Sequence, residues 1–272
     1  MGNDYYPEDH LWGPRDYFKS SFYQNSKAYF VSEIGYRGLP AETSLKRFIE
    51  PAHLWPYNGS CQWNLHSTDQ QNRTQLMEVT FKQIKQLFGA VPQELDRCIL
   101  ASQISQAEAL KFFVERVRAN MSSMGGIVWW NLIDGWPNIS GAAVDYFYEK
   151  KLAYYYLKRV SRPVLALVGE MQSWGHPVLV ANGTLKPAKV TVKLTDLETG
   201  SELFSGSCTA APNANTEVGF LPMMYSDKGM LLIEYTVDGK PFVNTYLYGA
   251  PAFELEKYKG WLAAVQACEL QL

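Results

Sequence analysis

Two stretches of the sequence carry side chains that could do chemistry. The first is Lys27-Ala28-Tyr29-Phe30-Val31-Ser32-Glu33-Ile34, closed by Gly35. It is a short β-branched and aromatic run and reads as a buried strand with Glu33 at its C-terminal end. A carboxylate at the end of a strand buried on both faces is costly unless it is paired or used. In a parallel α/β barrel that end opens onto the active site. A salt-bridged strand end, with Arg37 as partner, fits the same position. The second stretch is Trp129-Trp130-Asn131-Leu132-Ile133-Asp134-Gly135-Trp136-Pro137. It puts two indoles, an amide and a carboxylate at the end of the next strand. Flat aromatic faces beside hydrogen-bonding groups suit a sugar ring, whose axial C–H groups stack while its hydroxyls need polar partners. Core tryptophans followed by a Gly-Trp-Pro turn fit these residues too, and the sugar reading depends on Glu33 lying nearby.

The elements around these stretches alternate. Met77, Phe81, Ile84 and Phe88 recur at helical spacing after the possible N-caps Ser67, Thr68 and Asp69, and Gly89 marks a stop. A second helix is expected over residues 102–123, with Ile104, Ala107, Leu110, Val114, Val117 and Met121 on one face. Glu108, Lys111, Glu115 and Arg118 are interleaved. After the second strand, Ile127 to Leu132, a third helix fits residues 149–161, with Leu152, Tyr155, Tyr156 and Val160 as its apolar stripe, before Pro163. Strand, helices, strand, helix is α/β sequence, and right-handed crossovers make the strands parallel neighbours. From residue 163 the pattern changes to strands only, at 164–171, 177–181, 189–194, 203–209, 218–223, 231–237 and 242–248. Asn182-Gly183, Glu198-Thr199-Gly200 and Asp238-Gly239 mark turns. Seven short strands suggest an immunoglobulin-like β-sandwich, and residues 254–270 a short closing helix. The expected domains are therefore 1–162, α/β, and 163–272, all-β.

Bulk composition narrows the function. With 272 residues, 47% hydrophobic and 14% aromatic, the chain can bury a sizeable core and is not generally disordered. Lys+Arg is 25 against Asp+Glu 27, so no basic excess exists to neutralise phosphates, and nucleic acid is not an expected partner. The longest strongly apolar stretch, Gly125 to Ile133, is too short to span a bilayer, and no membrane partner is expected. The first six residues lack the basic and apolar regions of a secretory signal. No phosphate-binding loop, dinucleotide fingerprint, HExxH, GxSxG or CxxC occurs. The cysteines at 61, 98, 208 and 268 read as isolated thiols, and the four histidines are too scattered for a metal site, so no metal or cofactor is expected.

Four blocks, in order and spacing, resemble the C-terminal part of glycoside hydrolase family 2 enzymes of the β-mannosidase and β-galactosidase type. They are Asp9-His10-Leu11-Trp12-Gly13-Pro14-Arg15; Tyr29 to Tyr36 with its Ser-Glu-Ile-Gly core; the helix from Ala101 through Glu115 and Arg118; and Gly126 to Pro137 followed by Val144-Asp145-Tyr146-Phe147 and Lys151-Leu152-Ala153-Tyr154-Tyr155. The resemblance implies the end of a (β/α)8 TIM barrel followed by a β-sandwich, and a retaining mechanism with two carboxylates about 5–5.5 Å apart. Glu33 matches the nucleophile. Trp130 becomes a stacking platform, and Asn131, Asp134, His10 and Trp12 become hydroxyl contacts or site walls. A carbohydrate is the expected substrate.

The departures are specific. The family's acid/base glutamate follows an asparagine, and the sequence holds no Asn-Glu pair. The β-mannosidase pattern Trp-Gln-Leu-Asn-Asp is here Trp130-Asn131-Leu132-Ile133-Asp134, a form closer to a bacterial subgroup. A whole barrel takes roughly 250 residues, and residues 1–162 offer two clear barrel strands. The expectation is a fragment of a longer retaining exo-β-glycosidase that carries the nucleophile without the acid/base and lacks the N-terminal domains of its parent. Such a piece leaves strand edges unpaired, which favours self-association. A non-catalytic carbohydrate-binding or scaffold role is the alternative.

Overall fold

The computed structural model describes residues 6–57, 60–69, 74–223 and 228–270. The opening residues read for a secretory signal therefore lie largely outside the described part. The chain forms two compact units, residues 1–113 with 126–157, and residues 114–125 with 158–272.

The first unit holds β1 (Tyr6–His10), α1 (Ser21–Gln24), β2 (Ala28–Ile34), α2 (Glu42–Leu45), α3 (Pro51–Leu54), α4 (Cys61–Ser67), β3 (Thr68–Asp69), β4 (Thr74–Gln75) and α5 (Leu76–Phe88). It continues through most of α6 (Leu95–Ala119) to β5 (Gly126–Trp129) and the first two thirds of α7 (Leu152–Val160). Its sheet has the order β1-β2-β5, and both pairings are parallel. The expected neighbours β2 and β5 are thus side by side, with Ile34 opposite Trp129.

β1 was not expected. Its sequence, Tyr-Pro-Glu-Asp-His, has a proline and two acids, which suits an edge strand and hides it from a hydrophobicity reading. Nor are the strands buried on both faces as expected. Tyr29 and Phe30 on β2 and Val128 on β5 are exposed, while Ala28, Val31 and Ile34 are buried.

The helices follow the apolar spacing with three corrections. α5 starts at Leu76 rather than near Ser67, because residues 61–67 form their own short helix and 68–69 pair with 74–75. α6 runs Leu95–Ala119, and its polar residues Ser102, Ser105, Gln106, Glu108 and Lys111 are buried with the apolar ones. It is therefore enclosed by the core rather than half-solvated. On α7 the buried stripe is Ala153, Tyr156, Leu157 and Val160, and Tyr155 faces out.

The second unit contains the end of α6 and β6 (Val164–Val168), β7 (Gly175–Asn182), β8 (Ala188–Asp196), β9 (Glu202–Ala210), β10 (Ala214–Pro222), β11 (Gly229–Val237), β12 (Lys240–Tyr248) and α8 (Leu255–Glu269). The seven strands form two antiparallel sheets, β10-β7-β6 and β12-β11-β8-β9. β8 alternates between buried residues and more exposed ones along its length. Asp238 and Gly239, with φ of 49° and 84°, make the tight turn between β11 and β12, which needs positive φ at both positions. Arg118 donates to the carbonyls of Val160, Arg162, Pro163 and Ala181, and Asn244 donates to Glu115 at 2.7 Å. The end of α6 is thereby tied to the strands that follow it.

Candidate active site

Glu33 is the penultimate residue of β2, so its side chain sits at the C-terminal end of the central parallel strand. The backbone on either side is fixed by two hydrogen bonds. Leu11 N–H donates to the Glu33 carbonyl and Trp130 N–H donates to the Ile34 carbonyl, each at 2.7 Å. The chain leaving β1 and the chain leaving β5 therefore flank Glu33. The first brings in Trp12, whose indole N–H donates to Glu33 Oε2 at 2.7 Å. His10 Nδ1 lies 3.4 Å from the same oxygen, and His10 Nε2 lies 3.4 Å from Glu8 Oε1. Ser32 donates to Glu8. About a quarter of the Glu33 side chain, 27%, stays exposed, so the carboxylate is both held and reachable.

Gly35 explains why this strand ends as it does. A Cβ there would lie 2.6 Å from the Trp12 ring and 2.8 Å from the Trp130 carbonyl oxygen. The absence of a side chain lets both loops close on Glu33. Gly35→Ala is expected to displace the Trp12 ring, to weaken its hydrogen bond to Glu33, and to lower stability by about 1–3 kcal/mol through overpacking. Urea denaturation measures the loss, and the Trp12 indole N–H resonance should shift.

Trp130 follows β5 directly and is half exposed, as a stacking platform would need to be. Asn131 accepts a backbone hydrogen bond from Ala143 at 3.0 Å, and its buried Oδ1 has no hydrogen-bond partner among the described residues. The hydrogen bond to Glu33 thus comes from Trp12. Asp134 belongs to a different cluster. It is buried, and Ser140 donates to its Oδ1 at 2.6 Å. Burial pushes its carboxyl pKa up, against the opposing charges of Lys151 and Arg37 and the Ser140 hydrogen bond. Of the residues expected from sequence, the structure brings His10, Trp12 and Glu33 into contact, sets Trp130 and Asn131 at the end of the adjacent strand, and puts Asp134 in this buried charge group.

Two residues with a structural hold on the site were not singled out from sequence. Gln106 Nε2 donates to the carbonyls of Tyr36, Gly141 and Ala142 at 3.2, 2.8 and 3.2 Å. Lys151 Nζ donates to the Gly38 carbonyl at 2.8 Å. Both groups bind the segment that follows Glu33, and Gln106 binds the segment that follows Trp130 as well. A lysine immediately before a helix opposes the helix dipole, and that was the signal available for Lys151.

Lys151 is buried, and desolvation lowers its pKa to about 8, with Asp134 and Asp145 opposing the shift. Its unfolded value is about 10.4. Between these values the unfolded chain binds more protons than the folded one, so this group makes stability rise with pH. Its cost is fully present below pH 8 and disappears as pH passes the unfolded value. The urea midpoint of the native chain is expected to show an extra positive slope between about pH 8 and 10 that Lys151→Met lacks. Equal slopes in the two proteins would contradict the burial of a charged Lys151.

No protein-family model matches the chain. It is 27% identical over 235 residues to a β-mannosidase B of Aspergillus niger, covering 79% of this chain and 26% of that protein. It is 24% identical over 273 residues to a β-mannosidase B of Thermothelomyces thermophilus, covering 89% of this chain and 30% of that protein. The chain thus spans between a quarter and a third of the length of these relatives. Both are fungal, which lends no support to the bacterial affinity suggested by the Trp-Pro loop. Among solved structures it superposes on the β-D-mannosidase of Dictyoglomus thermophilum with a TM-score of 0.75 at 22% identity, covering 91% of this chain and 30% of that one. An exo-chitosanase of Amycolatopsis orientalis follows with a TM-score of 0.70 at 19% identity, covering 90% and 30%. The chain is a relative of the C-terminal portion of the glycoside hydrolase family 2 enzymes of the β-mannosidase type.

Proposed function

We propose that this chain is the nucleophile-bearing portion of a retaining exo-β-glycosidase acting on terminal β-linked sugars, of mannoside or galactoside type. On this reading residues 1–162 are the closing part of a TIM barrel and residues 163–272 an immunoglobulin-like sandwich. The observation that carries the reading is Glu33 at the end of the central parallel strand, accepting from the Trp12 indole with His10 beside it. A nucleophile has to be ionised to attack the anomeric carbon. The Trp12 N–H donates to the charged form of Glu33 and fixes the oxygen that does not attack, leaving Oε1 as the attacking atom. Glu33 then forms a glycosyl ester as the leaving oxygen takes a proton from a second carboxyl group. Water, deprotonated by that same group, releases the sugar. Trp130 offers an indole face to the bound ring, and Asn131, Asp134 and His10 are assigned to its hydroxyls or to the walls around them.

The sequence contains no Asn-Glu pair to supply the acid/base group, and general acid/base help contributes about 10²–10⁴-fold. The 272-residue chain alone is therefore expected to show negligible turnover of an alkyl or sugar β-mannoside, whose leaving oxygen needs the proton. Hydrolysis by the purified chain that Glu33→Ala abolishes would contradict the division of labour proposed here. For the chain by itself, the same missing pair favours a carbohydrate-binding or scaffold role as the second reading.

A further inference from the structure

We propose that Tyr23 and Tyr36 are positioning residues for Glu33. Their hydroxyl groups fix the backbone that carries Trp12, hold its indole N–H on Oε2, and so leave Oε1 for attack. This role rests on the nucleophile reading, and it belongs to two side chains that act through Trp12 rather than on the sugar.

Trp12 needs such a hold. β1 ends at His10 and α1 begins at Ser21, so the indole that meets Glu33 projects from a stretch, residues 11–20, with no helix or strand of its own. The Leu11 N–H is bound to the Glu33 carbonyl, but directly after it the chain turns. Gly13 and Arg15 sit at φ 51° and 52°. That conformation disfavours a residue other than glycine, so at Arg15 it persists only where the surroundings impose it. A donor that must stay within hydrogen-bond reach of one carboxylate oxygen tolerates little drift in its support.

The two hydroxyls supply the hold. Tyr23, on α1, donates to the Trp12 carbonyl at 3.2 Å, and Tyr36, just after β2, donates to the Asp16 carbonyl at 2.7 Å. The turn is thus gripped at Trp12 and again just past Arg15. Neither ring can follow a moving turn. Both are buried, and both lie against Phe113 of α6, with ring centres 5.0 Å and 6.3 Å away. Burial and the Asp16 carboxylate push the Tyr23 hydroxyl up to about 12, against the Arg15 backbone N–H and guanidinium. Burial also holds the Tyr36 hydroxyl well above its ordinary value. Both oxygens therefore keep their protons and remain donors. The Arg15 guanidinium, 5.4 Å from the centre of the Trp12 ring, adds a contact to the indole itself.

Tyr23→Phe and Tyr36→Phe keep the rings and remove the hydroxyls, and either variant carries the test. In the whole 272-residue chain each should shift the Trp12 indole N–H resonance and speed its exchange with solvent by about fivefold or more. Tyr258→Phe, which removes a buried hydroxyl from the second unit, should leave that resonance in place. In a longer enzyme that contains the chain, Tyr23→Phe should lower kcat on an activated aryl β-mannoside about tenfold, with KM within about twofold. Placed in a Trp12→Phe background, the same substitution should add less than about a twofold loss, because both act through one indole. An indole resonance that stays put in a folded variant would overturn the proposal. So would an equal shift in Tyr258→Phe, a loss that falls on KM, or a tenfold loss that persists without Trp12. Failure of the nucleophile reading would show separately, as a sugar ester on another carboxylate, and the indole response does not depend on it.

Discussion

Glu33→Gln, introduced into a longer enzyme that contains this chain, is expected to lower kcat by roughly 10⁴-fold or more while leaving sugar binding largely intact. The substitution keeps the shape of the side chain and its contact with Trp12, but it removes the charge and the covalent step. Losses that fall on kcat rather than on binding identify an interaction made during bond breaking. The geometry supports this split. Trp12 and His10 both reach Oε2, so the amide can occupy the same place without rearranging the loops. Steady-state rates with an activated aryl glycoside, set beside the affinity for a non-hydrolysed sugar, give the two numbers. A near-normal rate would remove Glu33 from the nucleophile role, and the assignments of Trp130 and Asn131, which rest on its position, would fall with it.

The second large effect is expected at Gln106. Its amide nitrogen serves three carbonyls, those of Tyr36, Gly141 and Ala142, in a fully buried setting. Space for it is made at Gly38, where a Cβ would lie 2.2 Å from Gln106 Oε1. Gln106→Leu conserves volume and leaves those carbonyls without this donor. A buried group left unpaired costs about 1–3 kcal/mol, so a loss of about 3 kcal/mol or more is expected for the set. Because Tyr36 lies three residues after Glu33 and Gly141 packs against the Trp130 carbonyl oxygen, the remaining folded protein should also show broadened or shifted indole signals from Trp12 and Trp130. Thermal or urea denaturation of Gln106→Leu beside the parent chain reads the first effect, and indole N–H spectra read the second. A loss below about 1 kcal/mol would mean that water or another side chain serves these carbonyls.

The legibility of the fold divides along physical lines. All seven strands of the second unit were readable because each alternates or runs apolar between Gly, Asn or Asp turns, and their observed bounds extend or trim the expected ones by a few residues. β2 and β5 were readable for the same reason. β1 was not, because Pro7, Glu8 and Asp9 give no apolar signal and its place depends on pairing with β2. The enclosure of α6 was equally hidden. Glu108, Lys111 and Glu115 look like a solvated face until the surrounding chain is placed.

In the site, Glu33 was visible as a carboxylate ending an apolar strand. Trp12 and His10 entered only through likeness to a family, since nothing local says that residues 10–12 return beside residue 33. The burial of Asp134 depends on Ser140 and Lys151, which tertiary packing brings to it. Gln106 was hidden for a related reason. A glutamine within a helix is ordinary until its amide is seen to bridge two loops.

On the proposed reading, Glu33 forms the covalent bond to sugar. The most direct measurement is inactivation of the longer enzyme by 2-deoxy-2-fluoro-β-D-mannosyl fluoride, whose glycosyl ester accumulates, followed by peptide mapping. One added fluoromannosyl group is expected on the peptide spanning residues 28–37, placed at Glu33 by fragmentation. An ester on any other carboxylate, or full inactivation of Glu33→Gln by the same reagent, would contradict it.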